Sequence, residues 1–292
     1  MPSWQGKSKA TPLGYRIFVA IIKKFGVLPA YLLLRFVALY YFLFSCKSSK
    51  IIYRFYRNKL QFGRAVSLCK LYRNYYIFGQ TLIDKIAVMT GSENRFTFHF
   101  DGEHILRQIT AMQKGGILLS AHIGNWEIAG FLLKRLNTKI NIVIFDGEHQ
   151  KIKQYLNSVT EKSAANFIVI KNDLSHIYEI AEAFKNNELV CMHADRFVEG
   201  NKTMQTSFIG QPARFPLGPF LLAAKFKVPV SFVFAMKETS LHYHFFAREI
   251  KDYSGYQKQD FMQQMLLEFA AEMEKKVKAY PEQWFNYYDF WQ

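Results

Sequence analysis

The hydrophobic and polar positions of the chain fall into three regimes. From Leu28 to Phe44 the apolar residues run almost unbroken, LPAYLLLRFVALYYFLF, interrupted only by Pro29 and Arg35. Residues 51–90 instead mix apolar and basic positions at helical spacing, as in LCKLYRNYYIFGQTLIDKIAVM, which predicts one or two amphipathic helices. Glu93–Asp101, ENRFTFHFD, alternates in the manner of a half-buried strand. Beyond Gly115 short β-rich runs recur: GILLSA, INIVIF, NFIVI, ELVCMH and VPVSFVFAM. Helical stretches around 127–136, 150–161, 174–186 and 217–227 separate them. Strands spaced by helices of that length predict crossover connections, hence an α/β fold with a mostly parallel sheet flanked by helices. LHYHFFA reads as a further strand and hairpin partner of 229–236. Residues 258–279 read as a long helix with an acidic start and a lysine-rich end, as the helix dipole favours. The absence of repeats and linkers in the rest predicts an N-terminal segment over 1–50 and one α/β domain over 51–292.

The N-terminal apolar run, 17 residues long, sits at the lower limit for crossing a bilayer core of roughly 30 Å. Arg35 at its middle would cost on the order of 2.5–3.5 kcal/mol there unless it snorkels or pairs. Lys23 and Lys24 precede it, and Lys47, Lys50, Arg54, Arg57 and Lys59 follow. Such a flank suits a helix end at an anionic cytoplasmic leaflet, and it would leave the rest of the chain in the cytoplasm. A buried helix of the soluble core is the competing reading. A cleaved signal peptide fits poorly, because the preceding polar region is long and no A-x-A-like site follows.

Charge adds one constraint. With 38 Lys+Arg against 23 Asp+Glu the net charge is +15, which attracts nucleic acid, anionic lipid or an acidic protein. The densest basic clusters flank the apolar segment and no nucleic-acid-binding motif is present, so nucleic acid is the least favoured partner. Aromatic residues reach 17%, so a large apolar area must be buried or face lipid. Cys46, Cys69 and Cys191 are too scattered for a disulfide framework or a zinc site, and read as reduced structural thiols.

Candidate chemistry concentrates in GGILLSAHIGNWEIAGFLLKRL. An apolar run ends at Ala121, His122 follows, and Gly124-Asn125 precedes a helical pattern. Asn125 is an N-cap candidate, which puts Glu127 in the first turn. Residues five apart within one helix point about 140° from each other, so His122 meets Glu127 only from the loop before the helix. A carboxylate at a helix N-terminus stays ionised and can hold one imidazole nitrogen while the other acts as base. That is the logic of a catalytic pair without a serine, with the hydroxyl coming from the substrate. Taken alone, a His five residues before an acid reads better as a structural His, and only the strand–loop–helix context brings the catalytic reading level with it. No G-x-S-x-G, Walker A or G-x-G-x-x-G sequence occurs, which removes serine hydrolases and nucleotide chemistry and leaves no cofactor implied.

SAHIGNWE resembles the signature of bacterial lipid A secondary acyltransferases, the HtrB/MsbB type within the lysophospholipid acyltransferase superfamily. MHADRFVEGN, SFIGQPARFPLGPFLLAAKFKVPV and YPEQWFNYYDFW resemble three further blocks in the family's order. The resemblance implies transfer of a fatty acyl group from acyl carrier protein, or coenzyme A, to a hydroxyl of a membrane lipid at the inner-membrane face. His122 would be the base and Glu127 its orienting acid. Asn125, Asp195 and Arg196 would line the site, with Gly210 and Pro212 shaping the loop opposite. Arg196 is either a donor to the thioester oxyanion or the partner of Asp195 or Glu199 in a salt bridge. Two departures fall on the substrate side. FDGEHQKIK, with Asp146, Glu148 and His149, replaces a basic stretch, and FNYYDFW lacks basic residues after Trp284. The acceptor is therefore a lipid A precursor or another lipid such as a lysophospholipid, an aminolipid, or an aryl-polyene or resorcinol lipid. A membrane scaffold without catalysis is the remaining alternative.

Overall fold

A computed structural model describes residues 12–89, 91, 95–126, 128, 136, 138–145, 165–170, 173–198, 200–250 and 255–291. Among these, seven strands form one sheet in the order β1-β9-β8-β2-β5-β3-β4. The strands are β1 (Thr97–Asp101), β2 (Gly116–Ser120), β3 (Ile140–Phe145), β4 (Ala165–Ile170), β5 (Leu189–His193), β8 (Val230–Lys237) and β9 (His242–Ala247). Every neighbouring pair is parallel except β8 with β9, which form the expected hairpin. The predicted α/β architecture holds. Strand β2, GILLS, is buried at all five positions between β5 and β8, which explains its unbroken apolar sequence: a central parallel strand is covered on both faces.

Of the predicted helices, α6 (Ser175–Lys185), α7 (Leu217–Phe226) and α8 (Lys258–Ala279) are present, while most of the stretch around 127–136 and all of 150–161 lie outside the described residues. Helix α8 has Asp260 in its first turn and Lys276 and Lys278 in its last. Its buried Phe269 meets Phe215, Phe220 and Phe232 edge-on and closes the core on that side. A second, two-stranded sheet, β6 (Thr203–Phe208) with β7 (Gln211–Pro216), has no counterpart in the sequence reading. Its turn is Ile209-Gly210 with φ of 50° and 73°, a type I′ geometry that a β-branched residue disfavours and that composition therefore does not announce. Glu274 compensates by accepting the Ile209 N–H at 2.6 Å.

The described residues 12–89 are nearly all helical: α1 (Pro12–Phe25), α2 (Val27–Phe44), α3 (Cys46–Arg54), which runs into a π-helical turn at Phe55–Lys59, and α4 (Arg64–Met89), with the short α5 (Glu103–Ala111) after β1. The apolar run is α2, the one described helix long and apolar enough to cross a membrane. It has two different faces. Val27, Ala30, Tyr31, Leu34 and Ala38 are buried, and Leu34 packs where Gly79 of α4 lacks a side chain, since a Cβ there would lie 2.4 Å from Leu34. Leu28, Leu32, Phe36, Leu43 and Phe44 point outward, each more than half exposed. An outward stripe of this size, continued by Leu13 and Phe25 of α1, exceeds the scattered apolar exposure of an ordinary soluble surface. Helix α4 is unusual in the opposite sense, burying Ser67, Asn74, Gln80, Thr81 and Asp84.

Candidate active site

The sheet register assembles the site. Ser120 at the end of β2 pairs with His193 at the end of β5, so the residues two places further on, His122 and Asp195, leave adjacent parallel strands side by side. Carboxyl ends of neighbouring strands are where open α/β sheets place their ligands. There the buried Asp195 carboxylate grips His122 twice: Oδ2 accepts the His122 backbone N–H at 3.0 Å, and Oδ1 lies 2.8 Å from Nδ1. A carboxylate on Nδ1 keeps the proton there and leaves Nε2 as the basic nitrogen.

Arg196 donates from Nη2 to the Phe285 carbonyl and lies over the Tyr288 ring at 5.9 Å. Its charge acts on both partners. Burial, then Arg196, lower the His122 imidazole against the pull of Asp195, and this lowering favours its neutral form. Burial would raise the Asp195 carboxyl, but the electrostatic pull and hydrogen bond of the His122 ring, with the Arg196 charge, hold it far below the usual range. His193 stacks on His122 with ring centroids 4.1 Å apart, meets Trp126 edge-on, and is kept neutral chiefly by burial. With Trp126 and Ser120 it lines an apolar cavity walled by Met192, Phe234 and Phe246.

The loop carrying His122 is held on both sides. Gly124 donates to the Gln283 carbonyl at 2.9 Å, Asn125 donates its backbone N–H to Ala235 at 2.7 Å, and Phe285 donates to the His122 carbonyl at 3.1 Å. Gly124 has φ of +68°, and a Cβ on it would lie 2.0 Å from the Ala235 oxygen. Gly124→Ala is therefore expected to displace the loop by the order of 1 Å and to lower kcat roughly 10²-fold, with folded protein confirmed by its thermal transition. A Gly124→Ala enzyme of unchanged rate would show that this approach does not set the position of His122.

The sequence-predicted residues divide accordingly. His122, Asp195 and Arg196 come together. Asn125 caps the helix that begins at Trp126, accepting the Ile128 N–H with Oδ1 at 3.3 Å, as expected. Its amide is 2% exposed and donates to Thr81 O and Tyr243 OH, so it lies behind the loop instead of facing a ligand. Glu127 and Glu199 lie outside the described residues. Gly210 forms the exposed tip of the β6–β7 hairpin and Pro212 is the second residue of its second strand. That hairpin packs through Phe208 on Trp284, Phe290 and Trp291. Cys191 lines the cavity with its thiol pushed up to about 12 by burial, whereas Cys46 and Cys69 are exposed; all three are free. Gln283, His193 and Tyr243 went unnoticed in the sequence. Of these His193 lies in the MHADRFVEGN block and Gln283 in the P-E-Q-W block, whose role is now visible as one wall of the His122 loop.

The model for bacterial lipid A biosynthesis acyltransferases matches residues 63–292. The chain belongs to that family. Over 112 residues it is 26% identical to the phosphatidylinositol mannoside acyltransferase of Mycobacterium tuberculosis strain H37Rv, and equally to that of strain CDC 1551. The matched stretch is 38% of this chain and 35% of each relative, so the chain spans about a third of the length of the curated relatives it matches. Among solved structures, the 1-acyl-sn-glycerophosphate acyltransferase PlsC from Thermotoga maritima aligns over 85% of this chain and 95% of its own, at 13% identity and a TM-score of 0.40. Within the lipid A acyltransferase family match lie all four sequence blocks, so His122 and Asp195 sit inside the matched region and α1–α3 precede it.

Proposed function

We propose that this family member transfers a fatty acyl group from acyl carrier protein, or from coenzyme A, to a hydroxyl of a membrane lipid, with a lipid A precursor as the first candidate acceptor. The observation carrying this reading is the His122–Asp195 contact, which supports a neutral imidazole held at Nδ1 by a carboxylate, the orientation a general base needs. In the proposed step the acceptor hydroxyl gives its proton to His122 Nε2 as its oxygen bonds to the thioester carbonyl carbon. The tetrahedral intermediate then breaks its C–S bond, and the imidazolium returns the proton to the leaving thiolate. Arg196 or backbone N–H groups of the loop stabilise the oxyanion. The acyl chain occupies the apolar cavity beside His193. Glu127 is proposed as a second acid at the same helix start, on the sequence pattern alone.

The placement follows from charge and exposure. The outward face of α2 and the basic residues of α3 support a catalytic domain over 51–292 held at the cytoplasmic face of the inner membrane by residues 1–50. Because the buried face of α2 packs on α4, embedding in one leaflet fits better than a free span. A second reading keeps the chemistry and changes the acceptor. The mannoside acyltransferase relatives and the acidic 146–149 stretch favour a lipid other than a lipid A precursor. Lipid mass spectrometry of a strain lacking the gene separates the two: one acyl chain should be missing from lipid A, or from another lipid class. An unchanged lipid profile, together with no transfer from acyl carrier protein or coenzyme A thioesters by the purified protein, would leave only the scaffold.

A further inference from the structure

Behind the His122 loop lies an ion pair that neither the chemistry nor the family blocks account for. Lys237 Nζ meets Asp84 Oδ2 at 2.5 Å, with side chains 4% and 0% exposed. Tyr31 of α2 donates to the other carboxylate oxygen and Tyr243 of β9 to the same one, while Lys237 also donates to the Ser240 carbonyl at 2.7 Å. A buried ion pair is an expensive way to fill a core, because desolvation offsets most of the attraction and apolar residues of similar volume do as well. Burial indeed pushes Asp84 up and Lys237 down, against their mutual attraction. Direction is what such a pair supplies and an apolar core does not.

Two hydrogen-bonded paths run from it to the loop. In the first, Asp84 can only accept, so the Tyr243 hydroxyl must donate to it, and that oxygen is then the acceptor for Asn125 Nδ2 at 3.0 Å. The amide is thereby fixed with Oδ1 toward the Ile128 N–H, the cap of the helix following His122. In the second, the Lys237 main chain brackets the Gln283 side chain, accepting from Nε2 at 2.7 Å and donating to Oε1 at 2.9 Å. The Gln283 carbonyl in turn takes the Gly124 N–H.

We infer that Asp84, Lys237 and Tyr243 are positioning residues for the His122 loop, and that through Tyr31 the same network makes helix α2 part of the active-site scaffold. This rests on His122 being the base. Loosening the loop should let water reach His122, whose protonation is otherwise set by burial first and then by the facing Arg196 and Asp195, with the neutral His193 ring stacked on it. Its proton affinity then rises.

Tyr243→Phe tests this, since the ring keeps its packing and only the relay oxygen is lost. Assayed in detergent with a carrier-protein thioester, the variant should lose roughly tenfold or more in kcat, as a misplaced base does. KM for the donor should stay unchanged and the acid limb of the pH–rate profile should move to higher pH. Tyr31→Phe should move both quantities in the same direction by less. Lys237→Met, if it folds, should match Tyr243→Phe. A folded Tyr243→Phe enzyme with wild-type kcat and an unmoved acid limb overturns the inference. So does a loss of activity that only tracks a loss of folded protein by thermal transition. His122→Ala run in parallel separates the two readings: if that variant is active, the assignment of the base has failed; if it is dead while Tyr243→Phe is not, only the positioning role has.

Discussion

Replacing His122 by Ala is expected to lower kcat by about 10³-fold, within the 10²–10⁴ that a positioned general base contributes, while donor binding and membrane association stay as they were. At the carboxyl ends of β2 and β5 the His122 imidazole is the one held through Nδ1 by the Asp195 carboxylate. Its lowered proton affinity favours the neutral form, so no ionic contact to substrate is lost with it. The fold should tolerate the change. His122 lies in a loop secured by main-chain bonds to Phe285, and its neighbours' bonds to Gln283 and Ala235 are also main-chain. One contact is lost from Asp195, which still accepts the residue 122 N–H. Binding of a non-hydrolysable donor analogue should be retained, which separates lost chemistry from lost structure. Transfer at the wild-type rate by His122→Ala would remove general-base catalysis by this residue.

How much of this was legible in the sequence depends on the range of the interaction involved. Period-two and period-3.6 patterns are local, and they located six of the seven main-sheet strands to within two residues, together with α6, α7 and α8. The β6–β7 hairpin escaped because its turn uses Ile209 at positive φ, stabilised by a distant Glu274. His122 could be read because a strand, a break and a helix start surround it within eight residues. Its carboxylate partner could not be settled in that way, because Asp195 arrives through the parallel pairing of β2 with β5 over 73 residues. Asp84 and Lys237 are 153 residues apart and look in sequence like ordinary charges on an amphipathic helix and near a strand end. Nothing short of the fold shows that both are buried. The same holds for Asn125, whose capping role is local and legible, while its second bond, to Tyr243, is neither. For α2 the pattern left a buried helix and a membrane helix open, and the structure gives it one buried face and one exposed apolar face.

Asp195→Asn should cost nearly as much as losing the base, on the order of 10³–10⁴ in kcat, as in other sites where an amide replaces the carboxylate that fixes a histidine tautomer. Asparagine can accept from Nδ1 through Oδ1, but it can equally present its NH₂ group, which would hold the proton on Nε2 and leave the imidazole without a base facing the acceptor. The pH profile gives a second, independent readout. The Asp195 charge and hydrogen bond are what raise the His122 imidazole against burial and the Arg196 charge. Without them its proton affinity falls further, so the acid limb of the remaining activity should move to lower pH. Loosening the loop through Tyr243→Phe should move it the opposite way, so the two variants distinguish an acid that orients the base from a network that positions the loop. Stability carries the same sign for Asp195. Its carboxyl is held below the unfolded value of about 3.9, so it stabilises the fold above that pH and the contribution is lost as pH falls through the folded value. Asp195→Asn should therefore flatten the acid limb of the stability curve. Glu127→Gln decides between the two acids: a large loss there with Asp195→Asn near wild type would make Glu127 the orienting acid and reduce Asp195 to a structural partner of the His122 backbone.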